Sequence, residues 1–268
     1  MDPSTGARVA AFFDLDKTVI AKSSLLAFSR PFFQGGLINR RAVLKSAYAQ
    51  FVFMQSGADA DQIERMRQHI TALCAGWDVG QVRAIVEETL HDIVDPLVYK
   101  EATQLIADHR AAGHDVVVVS ASGQEIVAPI ADMLGATQSL ATRMVVADGR
   151  YTGEVDFYCY ADNKAVAMKQ LAATNGYDLA QCHAYSDSAT DEPMLAVVGH
   201  PTAVNPDRAL RKVAAQQGWP VLTFSDPVSL RGRIPTPSGT AVAVTAVSLG
   251  AVAAAGVAWY GIRRRRRA

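Results

Sequence analysis

Cysteine is scarce in this sequence, and the few present do not pair. Cys74, Cys159 and Cys182 are odd in number and widely spaced, with no CxxC unit and no paired histidines beside them. That argues against a disulfide frame or a cysteine zinc site and for buried thiols in a reducing compartment. Net charge is also missing. The 26 basic and 26 acidic side chains cancel, so no long-range attraction draws the chain to nucleic acid. The polar start, Met1 to Gly6, lacks a basic region followed by an apolar one, so the folded part is expected to stay in the cytoplasm. No internal repeat is visible. His69, His91, His109, His114, His183 and His200 show no ligand spacing and are read as surface or core rings. Trp77, Trp219 and Tyr99 are read as packing residues.

What is present is apolar: 50% of the 268 residues are hydrophobic, enough for one large domain or two modest ones. The stretch Val9 to Ile20 organises the rest. An apolar run of strand length, Val9 to Phe13, stops at Asp14 and Asp16, with Lys17 and Thr18 beyond. Such a run reads as a strand buried on both faces of a parallel sheet. Its carboxylates would lie at the carboxyl edge, where open α/β sheets bind ligands. Two carboxylates this close repel unless a cation or proton intervenes, which suggests Mg²⁺. An ordinary Asp-containing turn is the plainer alternative.

From Ser23 to about Tyr99 apolar residues recur at helical spacing, as in Ile63, Met66, Ile70, Leu73 and in Val82, Ile85, Val86, Leu90. About four helices are expected there, inserted into the sheet domain. A helix from Tyr99 to Ala112 stops at Gly113, and Asp115 to Gly123 follows as a β-branched strand. Gln124 to Leu134 reads as a helix and Arg143 to Tyr160 as a hairpin around Asp148-Gly149. A helix opens at Asp162, a short strand from His183 ends in the acidic loop Ser186 to Asp191, and Pro193 starts a helix. Two further short strands, 201–205 and 221–224, flank a helix over 207–217. Helix, buried strand and polar loop in alternation predict an α/β fold with a Rossmann-like parallel sheet.

The end of the chain differs. Residues 227–239 read as a linker, 240–262 carry no charge, and 263–267 are consecutive arginines within a basic tail, 263–268. About 20 apolar residues span a bilayer. A C-terminal hydrophobic helix is therefore expected, spanning the membrane or lying in its interface against lipid.

Chemically, Asp14, Asp16, Ser120, Lys164, Asp187 and Asp191 form a nearly complete set for moving a phosphoryl group onto a carboxylate. An Asp nucleophile splits one hard displacement into two easier ones. A divalent ion, a hydroxyl and an ammonium neutralise the charge that develops on the transferring group. Taken singly, Ser120 could cap the next helix, Lys164 could be an exposed first-turn lysine, and Asp191 could be a helix-start carboxylate.

Asp14-Leu15-Asp16-Lys17-Thr18, the strand ending at Ser120, Lys164, and Ser186 to Asp191 resemble, in order and spacing, the four motifs of the haloacid dehalogenase superfamily. The helical insertion resembles that superfamily's type-1 cap, and the hairpin an element of its phosphoserine-phosphatase-like branch. The resemblance implies a core of residues 8–20 and 99–226, containing the hairpin 143–160, and a helical cap of residues 21–98. It implies Asp14 as nucleophile and Asp16 as general acid/base. Ser120, Ala121, Lys164 and Thr190 would bind the phosphoryl group. Mg²⁺ would rest on Asp14, Asp187 and the backbone carbonyl of Asp16, with Asp191 supporting the site. The superfamily's dehalogenases lack the second Asp, so Asp16 points to phosphate chemistry. Ser23 stands where phosphoserine phosphatases carry a substrate-reading Glu, and Ser186 and Thr190 stand where the branch has Gly and Asn.

The expected activity is Mg²⁺-dependent hydrolysis of a small phosphomonoester through an aspartyl-phosphate. Its rivals are hydrolysis of a lipid-linked phosphate, a phosphotransferase or mutase, and a catalytically silent, membrane-tethered regulatory protein on the same fold.

Overall fold

The computed structural model describes residues 8–38 and 71–225. The first strand, β1 (Ala10–Asp14), is buried along its whole length. Its side chains alternate between two cores, as the two-residue period of a strand requires. Ala11 and Phe13 enter one cluster, Ala10 and Phe12 the other.

On one side β1 pairs in parallel with β2 (Asp115–Gly123), and on the other with β5 (His183–Ser186). The seven-stranded order is β4-β3-β2-β1-β5-β6-β7. It adds β3 (Gln138–Ala147), β4 (Arg150–Phe157), β6 (His200–Val204) and β7 (Val221–Leu222). Every pairing is parallel except β3 with β4. The chain leaves β1 for one half of the sheet and returns to its other side. This reversal opens a crevice at the carboxyl end of β1, where Asp14 stands.

Helices cover both faces. The cluster holding Phe13 takes α3 (Val79–Val94), α4 (Lys100–Ala111) and α5 (Gln124–Met133). The cluster holding Phe12 takes α6 (Asp162–Asn175), α7 (Glu192–Ala196) and α8 (Arg208–Gln217). Two short helices, α1 (Ser24–Ala27) and α2 (Ser29–Gln34), follow β1 directly. Phe28 and Phe32, from this segment, pack into the same cluster as Phe13 and the α3 residues Val82 and Val86. All described residues belong to one compact unit, Met1–Val228.

Several elements differ from expectation. The hairpin strand β3 begins at Gln138, five residues before Arg143, and its first half pairs in parallel with β2. The strand thus serves the parallel sheet before it turns into the hairpin at Asp148-Gly149, where both residues take positive φ. β4 also has an outer neighbour. The Gly76 N–H donates to the Tyr151 carbonyl (2.8 Å), the Tyr151 N–H to the Trp77 carbonyl (3.0 Å), and the Val79 N–H to the Gly149 carbonyl (3.0 Å). Cys159 and Cys182 are buried free thiols, whereas Cys74 is only partly buried. Among the described residues no helix is long and apolar enough to cross a membrane. The hydrophobic segment 240–262, the linker and the basic tail lie outside the described residues, as does the insertion over 39–70.

Candidate active site

The crevice is built from four loops at the carboxyl edge. After Asp14 the chain makes a tight turn in which the N–H groups of Val19 and Ile20 both donate to the Leu15 carbonyl (3.0 Å each). Lys17 takes φ +65° to close it, a left-handed conformation that costs a non-glycine residue about 1 kcal/mol. The turn returns Thr18 to Asp14, where its hydroxyl donates to Oδ2 (3.2 Å).

Asp16 is held by a different set of partners. The Ser24 N–H donates to its Oδ1 (2.8 Å), and the Ser122 hydroxyl approaches its Oδ2 (3.4 Å). Ser122 can do this because β2 bulges between Ser120 and Gly123, lifting residues 121–122 out of the ladder. The Ser24 hydroxyl in turn donates to Ser122 (2.8 Å). Within the bulge the Ala121 carbonyl accepts from Thr142 (2.7 Å), and the buried Ser120 hydroxyl accepts from the Ser122 N–H (3.2 Å).

Lys164 is almost fully buried, at 3% exposure. Ala161, at φ +49°, sets the start of α6 so that the Lys164 ammonium donates to Asp14 Oδ1 (2.6 Å) and Asp191 Oδ2 (2.7 Å). The Ser186 hydroxyl donates to the same Asp191 oxygen (2.7 Å). Asp207 braces the loop from below: its side chain caps α8 through the Leu210 N–H (2.7 Å) and accepts the Ala189 N–H (3.1 Å). Thr190 points its hydroxyl at Ser188 (3.1 Å).

The charge balance is uneven. Burial pushes Asp14 up to about 8 against the pull of Lys164, and the neighbouring Asp191 and Asp187 add to the rise. Burial raises Asp16 as well, and lifts Asp187 to about 6 although Lys17 opposes it. Burial disfavours the Lys164 ammonium, but Asp14 and Asp191 outweigh it and hold its pKa above the ordinary value. We therefore take Lys164 as charged and the crevice as holding more carboxylate than it can neutralise. The donor set is hard oxygen, which suits a small divalent cation.

All eight residues singled out from the sequence lie at this edge: Asp14 ends β1, Asp16 lies in the turn after it, Ser120 and Ala121 lie near the end of β2, Lys164 lies in the first turn of α6, and Asp187, Thr190 and Asp191 follow β5. Lys164 bridges Asp14 and Asp191. Ser120 and Thr190 bond within their own loops. Four contributors were not anticipated: Ser24, Ser122, Ser186 and Asp207. For Ser186 the signal was its departure from the glycine of the resembling motif; its hydroxyl now positions Asp191.

Next to Ser122, which approaches Asp16, opens a cavity of about 240 Å³. Ser23 and Ser122 stand at one side of it, and Leu25, Phe32, Trp77, Ile126, Met144 and Tyr151 make most of its wall.

The model of the haloacid dehalogenase-like hydrolase family matches residues 11–196, which include every residue of this crevice except Asp207. The chain belongs to that family. A probable phosphatase of Mycobacterium tuberculosis is 66% identical over 97% of this chain and 90% of its own. A phosphoserine phosphatase of the same organism is 34% identical over 94% of this chain and 82% of its own. A crystal structure from Bordetella pertussis, of a protein of unknown function, superposes with a TM-score of 0.71 at 28% identity. It covers 81% of this hydrolase and 99% of its own chain. The hydrolase is an enzyme of the phosphatase kind.

Proposed function

We propose that this phosphatase hydrolyses a small phosphomonoester in two steps through Asp14, with Mg²⁺ in the crevice. The observation that carries the reading is the pair of differently held carboxylates. Asp14 Oδ1 is fixed by Lys164 and its Oδ2 by Thr18, so the carboxylate is aimed rather than free to rotate. Asp16 stands two residues on, raised in pKa by burial and fixed by Ser24, as a group that donates a proton and takes one back must be. In the first step an Asp14 oxygen bonds to phosphorus, the bond to the alcohol oxygen breaks, and Asp16 protonates that oxygen. In the second, Asp16 removes a proton from water, whose oxygen displaces Asp14 from phosphorus. Lys164 keeps positive charge beside the phosphoryl oxygens throughout, and Ser120 supplies a hydroxyl.

Asp14, Asp187 and the Asp16 carbonyl are the residues that would hold Mg²⁺. When bound, the ion neutralises the phosphate and the surplus carboxylate charge.

The cavity supports a leaving group with an apolar body. Ser23 offers no charge to a substrate ammonium, the carboxylate in the wall, Glu125, faces Arg83 (3.7 Å), and much of the remaining wall is aromatic and aliphatic. Segment 21–98 would act as the cap over this group. The segment 240–262 would hold the enzyme at the inner face of a membrane, by crossing it or lying on it.

The test is phosphate release from a panel of phosphomonoesters with Mg²⁺, with Asp14→Asn as the blank. Aryl and long alkyl phosphates are expected to exceed phosphoserine in kcat/KM, and Met144→Glu to erase that preference. Turnover by Asp14→Asn equal to wild type would overturn the mechanism. A preference for phosphoserine would overturn the substrate class alone.

A further inference from the structure

A second group of reactive side chains lies at the opposite end of the sheet from Asp14. His109 sits in the last turn of α4, His114 immediately precedes β2, His183 opens β5 and His200 opens β6. Because β2, β5 and β6 belong to the parallel part of the sheet, their first residues share the amino edge. One ring nitrogen from each of His109, His114 and His183 lies within 4.8 Å of the others. His109 is buried, and the other two are half-buried.

The hydrogen bonds give this cluster a direction. His109 Nδ1 faces His114 Nδ1 at 2.9 Å, and His109 Nε2 lies 2.8 Å from the Tyr185 hydroxyl. Two imidazole nitrogens at that distance need a proton or a cation between them. With Nε2–H donated to Tyr185, the Nδ1 lone pair of His109 points to the cluster centre. A ligand histidine typically has this arrangement, its second nitrogen tied to a neighbour that fixes tautomer and ring plane. The His183 ring stacks on His200 at 4.6 Å and on His114 at 5.5 Å.

We propose that His109, His114 and His183 form a binding site for a divalent transition-metal ion of the Zn²⁺ class, with water completing a four-coordinate shell. Zn–N bonds of about 2.0–2.1 Å place neighbouring ligand nitrogens about 3.3 Å apart. Binding would require side-chain rotation of the half-buried His114 and His183 to bring the nitrogens to that spacing. Three imidazoles select a borderline-soft ion, whereas the carboxylates of the crevice select a hard one, so the two ends of the sheet sort different metals. The ion would tie α4 to the starts of β2 and β5. Tyr185 carries that tie toward β1, its ring stacked on Phe13 at 4.5 Å beside Asp14. The site does not depend on the phosphatase reading.

The test uses untagged full-length protein, stripped of metal and then held in excess Mg²⁺ to fill the carboxylate crevice. Titration with Zn²⁺ alone by calorimetry is expected to show a single equivalent bound, and Co²⁺ to give the intense visible absorption of a tetrahedral nitrogen site. His114→Gln and His183→Gln should each weaken Zn²⁺ binding at least about tenfold, and Tyr185→Phe by about tenfold through the loosened His109 ring. Asp187→Ala should leave the equivalent in place. Absence of Zn²⁺ binding would overturn the proposal. So would binding unchanged in both histidine variants, or binding lost in Asp187→Ala.

Discussion

At Asp14 and Asp16 two chemically identical side chains are held by different neighbours, Lys164 and Thr18 for one and Ser24 and Ser122 for the other. An amide at position 14 cannot form an acyl phosphate, so Asp14→Asn is expected to reduce phosphate release to the uncatalysed background. On the proposed mechanism, Asp16→Asn keeps the nucleophile but loses the proton donor. Its turnover should fall about 10²- to 10⁴-fold, the usual reach of general acid–base catalysis, in a phosphate-release assay. Lys164 is a test of stability as well as chemistry. Replacing it with Met leaves Asp14 and Asp191 buried without their shared cation, a loss that costs about 3–5 kcal/mol and would appear as a lower urea midpoint. These residues were legible because each motif ends a strand or opens a helix with a polar group that a core cannot otherwise tolerate. Ser24 and Ser122 were not legible. Ser24 meets Ser122 across 98 positions of sequence, and only the turn after β1 and the bulge in β2 bring them together.

Among the elements, β1 and β2 declared themselves through continuous apolar runs, and the hairpin through Asp148-Gly149. The first half of β3 did not. Gln138-Ser139-Leu140-Ala141-Thr142 mixes polar and small residues and is only partly buried until Ala141, so it lacks the apolar run that marked β2. The α4–β5 junction hid its histidines for another reason: they lie 5 and 69 positions apart, spacings that mean nothing until the sheet register sets Ala11 opposite His183. This junction carries a pH signature. The folded state holds His109 near 4, below its ordinary 6.5, chiefly by burial. The unfolded chain therefore takes up a proton first as pH falls. Stability contributed by the neutral ring is intact above about 6.5, declines as pH falls toward 4, and levels off below. The loss is on the order of 3 kcal/mol at most. Urea midpoints measured in chelator from pH 7 to 4 should fall more steeply for wild type than for His109→Gln. Parallel curves would refute this account of the ring.

For the whole molecule, activity should require Mg²⁺ and vanish with chelator, and Asp187→Ala should raise the Mg²⁺ concentration needed for half-maximal turnover. Every residue of the crevice precedes position 208, and the chain makes further contacts up to Ser225, whose N–H donates to Glu101 (2.8 Å). A chain truncated after Ser225 should therefore keep its kcat/KM on soluble phosphomonoesters. If the remaining segment is an anchor, the full-length protein should sediment with membranes and the truncated one should not. The outer edge of β4 has a further consequence. Residues Gly76 to Val79 occupy that edge with backbone hydrogen bonds, and at the other margin β7 is two residues long. An exposed strand margin is where one polypeptide recruits another into cross-chain β-pairing. Among the described residues of this enzyme, one margin is taken by its own chain at Gly149 and Tyr151, and the other is two residues long. At these two places the described sheet leaves little strand margin for cross-chain growth under crowded, concentrated conditions.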